Sequence, residues 1–285
     1  TTYPESKTVK VYDAFNPEAR NLYWTYMNRN LFEKGVDGWW LDATEPEQKG
    51  NGGYTGRDPY TTAVTRDTKT YLGPYNHFTN AFPFESVNGV YQHQRATTSD
   101  KRVFILTRSA FAGQQRDASM VWSGDVTSSW ETLKRQIPAA LNYCLSGMPY
   151  WNADIGGFFS GTNYPGGVKD LTFQELYIRW LQFAVFTGMM RSHGTNTPRE
   201  IYQFGRPGEL AFDVINKYIG WRYQLEPYLY STSWDITSKN ASLMRALVMD
   251  YPKDKNVYNL GGEYLFGKSI LVVPITEPTF SKVDK

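Results

Sequence analysis

Between residues 16 and 194 the sequence repeats one order of signals: a helix, then an apolar run too short to be another helix. Asn16 is a helix-capping residue, Pro17 suits the first helical position, Glu18 falls in the first turn and Gly35 follows the last. Leu22 and Tyr26, and Tyr23, Met27 and Leu31, share a side at helical spacing. Directly after Gly35 comes VDGWWLD (36–42), which reads as a buried strand. KRVFILTRS (101–109), MVWSGD (120–125), GMPYWNADIGG (147–157) and MMRSHG (189–194) are four more candidates. Between them, Thr127 to Leu145 and about Thr172 to Phe186 read as helices. Ser128 and Glu131 have capping-box spacing in the first of these, and Pro138 is expected to kink or divide it. Strands alternating with helices imply parallel βαβ units and an α/β fold.

The 285 residues would suffice for one (β/α)8 TIM barrel, which takes about 250, yet only five barrel-type strands are evident where closure needs eight. The chain therefore reads as the later part of such a barrel, about strands 4 to 8. Near the end, EYLFGKSILVVPIT (263–276) is β-rich with no helix after it. The expected division is a partial barrel over 1–255 and the start of an all-β C-terminal sandwich over 256–285. The opening residues TTYPESKTVKVYDAF lack the long apolar region of a secretory signal, and the natural start is expected upstream of them.

Composition removes several function classes. Thirty Lys+Arg against 28 Asp+Glu leave a net charge of +2, which offers no basic footprint for nucleic acid or for a membrane surface. The most apolar stretch, around Leu176 to Met190, is interrupted by Arg179 and Gln182, which argues against a spanning helix. The one cysteine, Cys144, forbids an intramolecular disulfide, and with three histidines it argues against a structural zinc site. Aromatic residues are abundant: 9 Trp, 21 Tyr and 16 Phe can build a heavy core or line a site for the flat C–H faces of sugars.

Where the apolar runs stop, charged residues stand. On a strand, Gly38, Trp40 and Asp42 face one way and Trp39 and Leu41 the other; Phe104, Leu106 and Arg108 likewise share a face. Asp42, Arg108 and Asp125 fall at the carboxyl ends of their strands, the face that carries the active site in barrel enzymes. Each has a purely structural alternative: Asp42 could cap a turn, and Arg108 could simply neutralise it. Two carboxylates flanking an acetal are the equipment of glycoside hydrolysis, one ionised and one protonated. Asp42, with Arg108 expected beside it, suits the ionised role. Asp125 precedes a helix N-terminus, so its service as an acid needs burial and the charge of Asp42 to outweigh the dipole.

GWWLDATEPE (38–47) resembles glycoside hydrolase family 31, whose nucleophile lies in W-x-D-x-x-E-P; Trp40, Asp42, Glu45 and Pro46 match it. TRSAFAGQQRDASMVWSGD (107–125), YWNADIGGF (150–158) and RSHG (191–194) are similar to further segments of that family, in the same order over about 160 residues. The resemblance implies a retaining α-glycosidase with Asp42 as nucleophile and Asp125 as general acid/base. By the same resemblance Arg108, Asp154 and His193 contact the sugar in the −1 subsite, and Trp40, Trp122 and Phe158 form its walls. It implies no metal or organic cofactor and an oligosaccharide substrate, and it favours a periplasmic or secreted location, although the lone cysteine also suits the cytoplasm. It says nothing of oligomeric state.

Blander roles fall to the rest. Glu45 is expected to orient loops, Arg116 to be a solvated loop arginine, His77 and His93 to be structural, and Trp130, Trp180, Trp221 and Trp234 to pack. The variant WWLDATEPE, in place of the commoner W-x-D-M-N-E-P, resembles the α-xylosidase branch acting on xyloglucan oligosaccharides. An α-glucosidase or α-glucosyltransferase of the same family is the alternative, as is a carbohydrate-binding fragment without turnover. Both carboxylates argue against the last, because a binder needs no such pair.

Overall fold

In the computed structural model, which describes residues 12–45 and 68–280, the chain divides into two compact units, Thr1–Val121 and Trp122–Lys285. In the first unit, helix α1 (Pro17–Asn30) starts where expected: Asn16 is its cap, and its side-chain oxygen accepts from the Glu18 N–H at 2.9 Å. A single 3-10 turn, Phe32–Lys34, follows, and Gly35 closes it at φ +98°, a left-handed conformation that glycine adopts without cost. Strand β1 (Trp39–Leu41) comes next, then helix α2 (Phe82–Thr97), β2 (Ile105–Thr107) and β3 (Ser119–Trp122).

The three strands pair in parallel with β2 between β1 and β3, in the register Trp39↔Ile105 and Ile105↔Ser119. Side chains alternate as the sequence implied. Trp39 and Leu41 are buried with Trp24 and Met27 of α1, Val87 and Val90 of α2, and Val103 and Ile105. Both buried indoles keep a partner: Trp39 Nε1 donates to Gln94 Oε1 at 2.7 Å, and Trp24 Nε1 to Thr97 Oγ1 at 3.1 Å. Trp40, on the opposite face, is 52% exposed. Both helices cover the Trp39–Leu41 side of the strands, and the Trp40–Asp42 side is turned away from them.

In the second unit, helix α3 (Trp130–Leu145) is followed by β4 (Trp151–Asn152), α4 (Leu171–Ala184), α5 (Leu210–Gln224) and α6 (Glu226–Lys239). One expectation for α3 is corrected and another narrowed. Its cap is Ser129, whose Oγ accepts from the Thr132 N–H at 3.1 Å, and not Ser128. Ser128 is fully buried, and its N–H is committed to the Phe159 carbonyl at 2.9 Å beside a parallel bridge from Thr127 to Phe159. Held in that extended pairing, it cannot turn its hydroxyl to the helix; Glu131 instead pairs with Arg135 one turn on. Nor does Pro138 divide the helix, because buried Leu133, Ile137, Ala140 and Leu141 anchor the face on both sides of it.

The fifth expected strand, 189–194, is also corrected: these residues form no regular strand. They run extended beside 151–158, bonded at Gly188 N–H to Trp151 C=O, Ile155 N–H to Arg191 C=O and Thr195 N–H to Phe158 C=O, each at 3.1 Å. A left-handed pair, Gly156 at φ +86° and Gly157 at φ +79°, breaks the ladder. A Cβ on Gly157 would lie 2.7 Å from the Ser128 backbone, so only glycine fits that approach.

The C-terminal residues form the expected β-rich element. Strand β5 (Met244–Ala246) pairs antiparallel with β6 (Tyr264–Phe266), and β6 with β7 (Ile270–Val272). Its β5 edge packs on α3. Among the described residues no helix is long and apolar enough to cross a membrane.

Candidate active site

The first unit gathers its charged residues just past β1. Arg108, at the end of β2, approaches Asp42 with Nη1 3.4 Å from Oδ1, while its Nε donates to Glu45 Oε1. One planar guanidinium thus ties both carboxylates of the 42–45 turn. The backbone supports this: Ala43 takes φ +52°, rare for a residue with a Cβ, and its N–H donates to Asp42 Oδ1 at 2.8 Å. Thr44 Oγ1 lies 2.7 Å from Thr107 Oγ1 and 2.9 Å from Ser109 Oγ, fastening the turn to the end of β2. Asp42 remains half exposed, and Trp40 two residues before it shares its side of the strand. Pro46 of the motif lies outside the described residues.

The second unit holds the other sequence-selected residues in two groups and in the turn after β3. Asp154, fully buried, pairs with Arg191 Nη1, and the Arg191 guanidinium lies 5.1 Å from the ring centre of buried Trp122. Phe158 and His193, both half-buried, face each other with ring centres 5.4 Å apart. Asp125 is exposed in the turn after β3, following Gly124 at φ +77°, so the burial expected to support an acid role is not supplied by this chain. Arg191 was not selected from the sequence, although a buried Asp154 demands a nearby cation and RSHG places one.

The residues given blander roles divide. Glu45 does hold a loop through Arg108, Arg116 stacks on Phe84 at 4.9 Å, and His93 Nδ1 sits 2.6 Å from the Gly89 carbonyl within its own helix. Trp180 is fully buried, as expected of a packing residue, whereas Trp234 is 67% exposed on this chain. Among the described residues no group of three or more His, Cys, Asp or Glu is placed to hold a metal ion.

Parallel strands with charged ends, Asp42 fixed by Arg108, and a buried Asp154–Arg191 pair are accompanied by a direct match. Residues 2–232 fit the model of the glycosyl hydrolases family 31 TIM-barrel domain. This chain belongs to glycoside hydrolase family 31. Residues 240–285 fit that family's C-terminal domain, so the fold is part of a family 31 TIM barrel followed by part of the C-terminal domain.

Among family 31 relatives, an alpha-xylosidase of Saccharolobus solfataricus is 43% identical over 93% of this chain and 34% of its own length. Alpha-glucosidase 2 of Bacillus thermoamyloliquefaciens is 32% identical over 95% of this chain and 32% of its own. The crystal structure of a family 31 alpha-xylosidase from Xanthomonas citri superposes with a TM-score of 0.83 at 38% identity, over 93% of this chain and 28% of that one. The chain therefore spans about a third of the length of the relatives it matches.

Proposed function

We propose that the protein carrying this chain is a retaining, exo-acting α-glycoside hydrolase, an α-xylosidase that releases xylose from xyloglucan oligosaccharides. The observation that carries the reading is the turn after β1, where Arg108 holds Asp42 and Glu45 at the carboxyl end of a parallel strand within a match to the family 31 motif. In this reading Asp42 is the nucleophile. Its carboxylate attacks the anomeric carbon while Asp125 gives its proton to the departing oxygen, forming a β-linked glycosyl ester on Asp42. Asp125, now ionised, takes a proton from water, which attacks the same carbon, frees Asp42 and yields a product of α configuration. Arg108 orients Asp42, and Asp154, His193, Trp40, Trp122 and Phe158 contact the sugar.

Identities of 43% and 38% to two alpha-xylosidases support the xylose reading. The two sugars differ by one hydroxymethyl group, and packing alone separates such pairs by about 10–200-fold. The full-length protein is therefore expected to hydrolyse an aryl α-xyloside with a kcat/KM at least about 10-fold above that for the aryl α-glucoside. Equal efficiency on both would remove the xylosidase assignment, and unchanged turnover in Asp42→Ala would remove the nucleophile.

A further inference from the structure

Arg199 is only 7% exposed, and its guanidinium is given over to main-chain carbonyls of the second unit. Nη1 donates to Ile155 at 2.9 Å, Gly157 at 2.5 Å and His193 at 2.8 Å, and Nη2 to Phe158 at 3.4 Å. Its flat face lies over Phe173, 5.4 Å from the ring centre. The four carbonyls come from two segments, 154–158 and 191–195, whose direct pairing is sparse: Ile155 N–H to Arg191 C=O and Thr195 N–H to Phe158 C=O. Between those two bonds the ladder is broken by Gly156 and Gly157, and the arginine fork occupies the gap. Gly194 is shaped to this arrangement, since a Cβ there would collide with the Arg199 guanidinium. Ser160 Oγ and Thr197 Oγ1, 2.7 Å apart, close the far end.

The geometry points to Arg199 as a positioning residue: by holding the carbonyls of Ile155, Gly157, Phe158 and His193 it fixes Asp154, Phe158 and His193 relative to one another for sugar binding. This rests on the glycosidase reading above. The sequence between Asp154 and Phe158 must bend to present its side chains, so it cannot also satisfy its carbonyls by β-pairing. A guanidinium sets Nη1 among three of these carbonyls, Nη2 toward the fourth and its flat face over Phe173; a lysine ammonium has donors for the first three but neither the second nitrogen nor the face that fixes its place. Burial lowers the Arg199 pKa, opposed by nearby Tyr177 and Asp154, but the geometry carries the assignment without it.

The test is steady-state hydrolysis of an aryl α-xyloside by the full-length protein. Arg199→Lys is expected to lower kcat per folded molecule by about 100-fold, the loss that a displacement of about 1 Å brings to a reacting centre. In a His193→Ala background the same substitution is expected to cost less than about 10-fold, because residues that act as a unit couple non-additively. A purely structural role would instead lower the folded fraction and leave the two factors equal. If Arg199→Lys does not fold, Arg199→Ala is assayed with millimolar guanidinium against equal NaCl. Turnover restored by guanidinium alone supports the proposal, and protein that stays silent or unfolded overturns it. Wild-type kcat in Arg199→Lys, or equal losses in both backgrounds, also overturns it while leaving the glycosidase reading intact. A wild-type protein inert on both aryl α-xyloside and aryl α-glucoside removes the reading and this proposal together.

Discussion

At the scale of single residues, the general-acid role proposed for the carboxyl at position 125 is the one most readily separated. A general acid matters in proportion to how poor the leaving group is, so its loss should depend on the aglycone. Asp125→Ala is expected to lower kcat/KM on an oligosaccharide by about 100- to 10,000-fold, and far less on an aryl glycoside whose phenol leaves readily. The second step then lacks its base, and the glycosyl ester on Asp42 should accumulate. Azide, which needs no deprotonation, can attack that ester, displace the Asp42 carboxylate and give a glycosyl azide. The proposed ester is β-linked, so the expected azide is α, and proton NMR of the product reads the anomer directly. A β-azide, or identical losses on good and poor leaving groups, would remove the acid/base role from Asp125. The positions of Asp42, Arg108 and Asp125 past the strand ends were legible because strand periodicity by itself sets them where the apolar runs end. Arg191 and Arg199 were not, since their partners are a buried carboxylate 37 positions away and carbonyls up to 44 positions away.

At the scale of elements, the cap of α3 separates local signal from tertiary context. Ser128 and Ser129 both stand before the helix with capping chemistry, and spacing to Glu131 favours the first. The parallel bridge to Phe159 claims Ser128, and the cap moves one residue on. Ser129→Ala should therefore destabilise the protein by about 1 kcal/mol, the usual loss when a serine cap is removed. Urea unfolding followed by tryptophan fluorescence measures it, and no change in midpoint would return the cap to Ser128. The other elements show the same division. Helix α1 was readable from its own cap, proline and terminal glycine, and β1 from a run too short and apolar to be anything else. The stretch 189–194 was not, because two left-handed glycines in the neighbouring segment interrupt its ladder and Arg199 takes their place, and nothing within MMRSHG reports that.

At the scale of the whole molecule, one buried thiol links stability to pH. Cys144 lies near the end of α3, is 3% exposed, and is the only cysteine in the chain. Burial pushes its thiol up from an ordinary value near 9 to about 11, with Ser242 and the Met244 backbone opposing the shift. An acid that ionises later in the folded state than in the unfolded one leaves the unfolded chain binding fewer protons between the two values. Its contribution is therefore complete below about pH 9 and is lost as pH rises through 11. By pH 10 the loss relative to pH 8 should reach about 1 kcal/mol. Cys144→Ala separates this effect from those of tyrosines and lysines: its urea midpoint should fall less over the same interval, even though truncation lowers its stability at pH 8. In the native protein a thiol reagent at pH 8 should label Cys144 only as the chain unfolds, since the thiolate is both scarce and covered. Equal pH slopes in the two proteins, or prompt labelling under native conditions, would mean that the thiol opens to solvent within the folded ensemble. The packing of α3 against β5 would then be looser than the buried Leu133–Ile137–Leu141 face requires.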